Sequence, residues 1–235
     1  MGDDPCHLAV ANVLVIAPHP DDESLGCGGL ISRLSADRRR FCTVFVTDGS
    51  ASHLGSIKWS RRALAARRER EAEEALNQLG IGDHQRIFLR LCDSAMPPAS
   101  SEEWQFALGE LDFVLRTFCP DLVLLPWRRD PHCDHRDSWR LVTEAIRRSV
   151  LTPMTLEYAI WLDEYGSAAD YPRPDEARSI VFDISTELAK KRAAIAAHKS
   201  QTTNLIDDDP NAFRLSVETI TRLTGPCEAY WQPHT

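Results

Sequence analysis

Four short polar clusters in this chain carry residue types suited to hydrolytic chemistry. His19-Pro20-Asp21-Asp22-Glu23 places one imidazole beside three carboxylates, and Pro131-His132-Cys133-Asp134-His135 places two imidazoles around a thiol and a carboxylate. Thr47-Asp48-Gly49 and Asp93 are the other two. Imidazole and carboxylate are borderline-hard ligands suited to zinc, and a catalytic zinc takes three protein ligands and leaves one position for water. His19 and Asp22 can supply two donors from one turn, and His135 the third. Two neutral imidazoles and one carboxylate leave a divalent ion with net positive charge, which acidifies a bound water and polarises a carbonyl oxygen. Asp21 adjoins a ligand yet can point differently, which suits a general base for that water. Glu23 reads as a helix-start charge or as a group that orients a ligand.

Either His-containing cluster alone is as well explained by a polar turn. Their weight comes from the elements that must position them. Residues 13–17, 42–47, 86–89 and 121–125 are apolar, β-rich runs of the kind found in strands buried on both faces. Helical patterns alternate with them over 28–34, 60–79, 104–118 and 138–150, and Gly80 stops the second helix. This alternation predicts an α/β fold with a doubly wound, mostly parallel sheet flanked by helices. The polar clusters and Asp93 follow the strands directly or within a few residues, so they converge on the sheet edge where such folds bind ligands. Further on, 155–162 and 177–184 read as strands, with a Pro- and Gly-containing loop at 163–174 between them. Ser185 reads as the N-cap of a helix over 188–198, and 211–223 as a final helix. Gly26-Cys27-Gly28-Gly29 lacks GxGxxG spacing and follows two carboxylates, so close packing of a helix on the sheet explains it better than a dinucleotide site.

Composition excludes several function classes. Lys and Arg total 27 against 35 Asp and Glu, a formal charge of −8 without a basic run, which disfavours nucleic acid and anionic membranes as partners. No apolar stretch is long enough to span a bilayer, and the acidic opening Met1-Gly2-Asp3-Asp4-Pro5 has no apolar signal core. The seven cysteines are scattered without a CxxC pair, which points to free thiols and a reducing, cytoplasmic setting. No composition break divides the 235 residues, so a single domain over 1–235 is expected, with the oligomeric state left open.

The motifs together resemble a known family. Ala17-Pro18-His19-Pro20-Asp21-Asp22-Glu23, followed by Gly26-Cys27-Gly28-Gly29, is similar to the first motif of the PIG-L / LmbE-like de-N-acetylases. Thr47-Asp48-Gly49, Arg68-x-x-Glu71 with Leu79-Gly80, Pro131-His132-Cys133-Asp134-His135 and His198-Lys199-Ser200-Gln201 resemble its later motifs in the same order. The resemblance implies a Rossmann-like fold and metal-dependent removal of an N-acetyl group from an N-acetylglucosamine-type small molecule or glycoside, with zinc as the metal or ferrous iron as the alternative. It implies His19, Asp22 and His135 as metal ligands and Asp21 as general base. It gives His132 to the oxyanion or the leaving amine, in a protonated form at the oxyanion stage, and Asp134 to orienting a histidine. Arg68 and Asp93 fall where the family contacts sugar hydroxyls.

One departure is Cys133, where the family motif has Pro; a residue between two inward-facing neighbours is expected to face the core. His198 and Gln201 reach the mouth of the site or form a polar helix end. His53, Trp127, Trp161 and Tyr158 either shape a sugar site or pack as hydrophobes. Two other functions stay open: a metal-dependent hydrolase of another acyl or ester bond, and a sugar-binding module without turnover. An intact Asp21 and His132 speak against the second, because binding alone requires no base beside the metal.

Overall fold

A computed structural model of the chain describes residues 5–234, except the side chain of Cys6. Residues 1–4 of the acidic opening lie outside the described residues. The strands are β1 (Asn12–Ala17), β2 (Arg40–Thr47), β3 (Gln85–Leu91), β4 (Leu122–Pro126), β5 (Met154–Tyr158), β6 (Ala177–Asp183) and β7 (Cys227–Pro233). They form one sheet in the order β3-β2-β1-β4-β5-β7-β6. The first five are parallel, and β7 runs antiparallel to both β5 and β6.

Alternate residues of the buried strands face opposite helical layers, as a two-residue period requires. Val13, Val15 and Ala17 of β1 pack with α1 (Asp22–Ala36), α2 (Arg61–Gln78) and α6 (Leu188–Ala197). Leu14 and Ile16 pack with α3 (Glu102–Phe118) and α4 (Cys133–Arg148). The chain leaves β1 toward β2 and β3, then returns to lay β4 on the other side of β1. A crevice opens where the winding direction reverses, beyond the carboxyl ends of β1 and β4.

The glycines of α1 answer to packing. A Cβ on Gly26 would stand 2.3 Å from the Tyr158 ring, and one on Gly29 would stand 2.7 Å from Ile184. Tyr158 is buried and its hydroxyl donates to the Ile16 carbonyl at 2.7 Å, so the ring has little room to yield. Gly26→Ala should therefore destabilise the fold by about 1–3 kcal/mol, the range for overpacking. An unchanged urea midpoint would show that Tyr158 moves aside freely.

The later part of the chain departs from the sequence reading in four places. The strand expected over 155–162 ends at Tyr158, because Asp130 Oδ2 accepts from the amides of Ile160 and Trp161 at 3.0 and 3.1 Å and draws the chain off the sheet. The short helix α5 (Leu162–Tyr165) follows. Ser185 does not cap α6; its hydroxyl donates to Asp183 Oδ1, and a 3-10 turn over Ser185–Glu187 intervenes. After α7 (Lys199–Thr202), only Val217–Leu223 of the expected last helix is helical (α8), with Ser216 accepting from Thr219 N at 2.9 Å. Before α8 the backbone is committed elsewhere: Phe213 N donates to Ser52 O and Leu215 N to Gln201 O. Strand β7 was not anticipated at all. It follows Pro226, ends on Pro233, and carries a buried Glu228 that masks its apolar alternation. That carboxylate accepts from the amides of Gly29 and Leu30, within α1, and pairs with buried Lys191 at 2.7 Å.

Candidate metal centre

The turn from β1 into α1 sets Asp22 at the first helical position, with Asp21 just before it at φ 150°, a conformation rare for a non-glycine residue. Several bonds hold that turn. Thr47 hydroxyl and amide both donate to Pro18 O, and the Asp21 amide donates to Glu23 Oε2 at 3.0 Å. Glu23 Oε1 in turn contacts His198 Nε2 at 3.1 Å, so His198 is a buried support for the turn. Across the crevice His132 caps α4, its Nδ1 accepting from the Asp134 amide at 3.2 Å, and His135 lies in the first turn of the helix. In a neutral His132 the ring proton is then on Nε2.

His19, Asp22 and His135 come together. Asp22 Oδ2 is 3.1 Å from His19 Nδ1 and 3.3 Å from His135 Nε2. Donors around a tetrahedral zinc with bonds of about 2.0–2.1 Å stand roughly 3.3 Å apart, a spacing that both Asp22 contacts match, and His19, His132 and His135 place donor atoms within 4.8 Å of one another. Neither ring nitrogen of His135 makes a hydrogen bond, although the residue is fully buried. An orphaned buried imidazole of this kind is what a metal would satisfy. The far nitrogens also face carboxylates: His19 Nε2 contacts Asp134 Oδ2 at 3.0 Å, and His135 Nδ1 lies 3.3 Å from Asp130 Oδ1. Carboxylates behind ligand histidines fix ring orientation and raise basicity. The donor set thus fits zinc or ferrous iron.

The electrostatics agree. Asp21, Asp22, Asp93, Asp130 and Asp134 are all buried, an arrangement that is costly without compensating positive charge. Burial alone would discharge the histidines, but Asp134 and Asp22 outweigh it at His19, which is raised well above its usual value. At His135 burial is likewise outweighed, by Asp22 and Asp130, and the ring is pushed up to about 9. A pocket that holds protons this strongly also favours a divalent cation in their place. His132 goes the other way: burial, then His19 and His135, push it down to about 4. Burial raises Asp21 to about 6 against the pull of Arg68, whose Nη2 is 3.0 Å from Asp21 Oδ2.

His19, Asp21, Asp22, Asp93 and His132 line a cavity of about 410 Å³ that also includes Ser52, Gln201, Trp161, Tyr165 and Phe213. Arg68 and Asp93, expected to meet sugar hydroxyls, both line it. Arg68 donates to Gly49 O and Pro20 O as well as pairing with Asp21, so it braces the turn. Asp93 accepts from the Ala51 amide and the Ser94 hydroxyl and lies 3.4 Å from His19 Nε2. Asp134 supports His19 and accepts from the Ser94 amide. Of the aromatic candidates Trp161 lines the cavity, whereas Trp127 and Tyr158 are buried and bond to the Asp170 and Ile16 carbonyls. Asp130 was missed by sequence reasoning; its one signal was a carboxylate just ahead of the second His motif.

Cys133 is exposed at the start of α4, not in the core, because α4 begins there and turns that position outward. His132, Cys133 and Asp134 do place donor atoms within 4.8 Å of one another. Burial and the neighbouring Asp134 nonetheless push the thiol up, against the thiolate a metal needs. Cys133→Ala should leave metal affinity nearly unchanged; a fall of about tenfold or more without unfolding would make it a ligand.

Comparison with known proteins follows the same lines. The profile of the GlcNAc-PI de-N-acetylase family, PIG-L, matches residues 14–146. The probable N-acetyl-alpha-D-glucosaminyl L-malate deacetylase 2 of Bacillus cereus is 26% identical, over 84% of this chain and 86% of that protein. The diacetylchitobiose deacetylase of Thermococcus kodakarensis is 30% identical, over 82% of this chain and 70% of its own. Among solved structures, the N,N'-diacetylchitobiose deacetylase of Pyrococcus horikoshii in complex with its inhibitor MPG superposes with a TM-score of 0.66 at 27% identity, covering 83% of this chain and 72% of that one. Fold, motif order and relatives agree: the chain belongs to the PIG-L / LmbE-like de-N-acetylase family.

Proposed function

We propose that this protein is a metal-dependent amidohydrolase that removes the acetyl group from an N-acetylglucosamine-type amino-sugar. The observation that carries the reading is a second buried carboxylate, Asp21, beside the convergent His19, Asp22 and His135 and facing the same cavity. His19, Asp22 and His135 would hold a divalent ion, zinc or ferrous iron, which when bound would polarise the amide carbonyl and acidify water. Asp21 takes the proton from the attacking water through its carboxylate, which Arg68 holds in position. His132 donates from Nε2–H to the carbonyl oxygen as negative charge develops there. When the carbon–nitrogen bond breaks, the proton that Asp21 took from water passes to the departing nitrogen, and acetate and the free amine are the products.

Asp93 retains acceptor capacity for a sugar hydroxyl. Gln201 Oε1, buried and without a hydrogen bond, is available to accept from another. Arg68 contributes by holding Asp21, since its bonds are made within the protein. We read residues 1–235 as one catalytic unit, because the sheet draws strands from residue 12 to residue 233. Among the described residues no helix is long and apolar enough to cross a membrane, and six cysteines are unpaired. These support a reducing, cytoplasmic setting and a small glycoside as substrate.

The test is a mass-spectrometric screen of N-acetylated glycosides with zinc- or iron-loaded protein. Loss of one acetyl group with release of acetate is expected from soluble glycosides. Cleavage of esters alone would overturn the amidohydrolase reading, and turnover confined to bilayer-inserted lipid would overturn the small-molecule one.

A further inference from the structure

The cavity is graded in depth. His19 and Asp22 line its buried floor, and the wall rises through Trp161, 8% exposed, to Phe213 and Tyr165 at 42% and 69%. The Trp161 ring is 5.6 Å from Phe213 in edge-to-face geometry and 5.9 Å from Tyr165 at 36°. The backbone holds these rings in place: the Trp161 amide donates to Asp130, and the Phe213 amide donates to Ser52 across the mouth. All three residues lie beyond the family-matched segment 14–146.

A substrate that puts its acetamide on the floor presents whatever lies beyond the sugar to the rim. The rim offers aromatic faces and edges, partly exposed to water, which gain most by covering a flat apolar group. It is poorly made for an anion. Asp21, Asp22 and Asp93 line the cavity, and Arg68, the one Lys or Arg among its described lining residues, is tied to Gly49 O, Pro20 O and Asp21. We propose that Trp161, Phe213 and Tyr165 form an aglycone subsite selecting N-acetylglucosaminides that carry a flat, apolar group over those that carry a carboxylate. This rests on the de-N-acetylase reading for the placement of the acetamide.

The test compares kcat/KM for acetate release by the zinc-loaded enzyme on phenyl N-acetylglucosaminide, free N-acetylglucosamine and the malate glycoside. The phenyl glycoside should lead both others by about tenfold or more, the scale of one or two aromatic contacts. Phe213→Ala and the surface variant Tyr165→Ala should each cut the phenyl-to-free ratio severalfold, chiefly through KM. Equal rates on all three, a preference for the malate glycoside, or a ratio unchanged in both variants would overturn the subsite. If no substrate releases acetate, the deacetylase reading fails, and calorimetry with phenyl N-acetylglucosaminide decides the subsite alone. Saturable binding weakened in Phe213→Ala would uphold it, and absence of binding would overturn it.

Discussion

Replacing Asp21 by Asn is expected to leave metal content unchanged and to lower turnover by roughly a hundredfold or more, as loss of a general base does. Asp22→Asn should instead lose metal and activity together. The two residues are chemically identical neighbours, and their surroundings separate them. Asp22 Oδ2 stands between two imidazole nitrogens at 3.1 and 3.3 Å, where the proposed ligand set would direct its charge to the metal. Asp21 faces the cavity, and its ion-pair partner is Arg68, 3.0 Å away. Asparagine keeps the shape and the Arg68 contact but cannot take a proton from water. Substrate affinity should change little, because the loss falls in the transition state. Metal analysis and turnover on the same two preparations decide the matter: metal loss in Asp21→Asn with retention in Asp22→Asn would exchange their roles, and full activity in Asp21→Asn would remove the base assignment.

His135→Ala should empty the metal site and weaken the fold at once. Wild-type protein should carry about one divalent ion per chain, the stoichiometry of a three-ligand catalytic site, and the variant close to none. Stability suffers because the imidazole stands fully buried between Asp22 and Asp130. Removing it leaves two buried carboxylates without their shared partner, a loss of about 3–5 kcal/mol by analogy with broken buried pairs. Metal analysis and a urea midpoint on the apo protein measure the two effects separately. Full occupancy in the variant would refute the ligand set, and an unshifted midpoint would show that water reaches Asp22 and Asp130 freely.

The parallel half of the fold was legible because continuous runs such as Val13-Leu14-Val15-Ile16-Ala17 have few alternatives to a doubly buried strand. Convergence of the clusters followed from topology, since whatever follows parallel strands shares one edge. What stayed hidden were roles set by long-range hydrogen bonds. Asp130 looks like any loop carboxylate until its two oxygens are seen to gather His132, Ile160 and Trp161. Arg68 is recognisable in sequence, yet only the fold shows its donors committed to Pro20 and Gly49. Residues 211–216 have helical composition, but Phe213 and Leu215 are bonded to the segments around the cavity instead. The downward shift of His132 depended on burial and on two other histidines lying close by, which motif spacing does not reveal.

The position of β7 also bears on how the chain can fold as it is made. Strand β6 pairs in the sheet with β7, and β5 meets β6 through it. A nascent chain that has reached residue 216 therefore has β1 to β5 ready to assemble but leaves β6 without a neighbour. It also lacks Glu228, the acceptor for two amides in α1 and the counter-charge of buried Lys191. The helix that carries Asp22 is thus completed by a strand roughly 200 residues later in synthesis, a contact of very high sequence separation and correspondingly slow closure. On the ribosome the parallel sheet should appear first as a partly open intermediate, and competence to bind metal should arrive late, with the passage of β7 out of the exit tunnel.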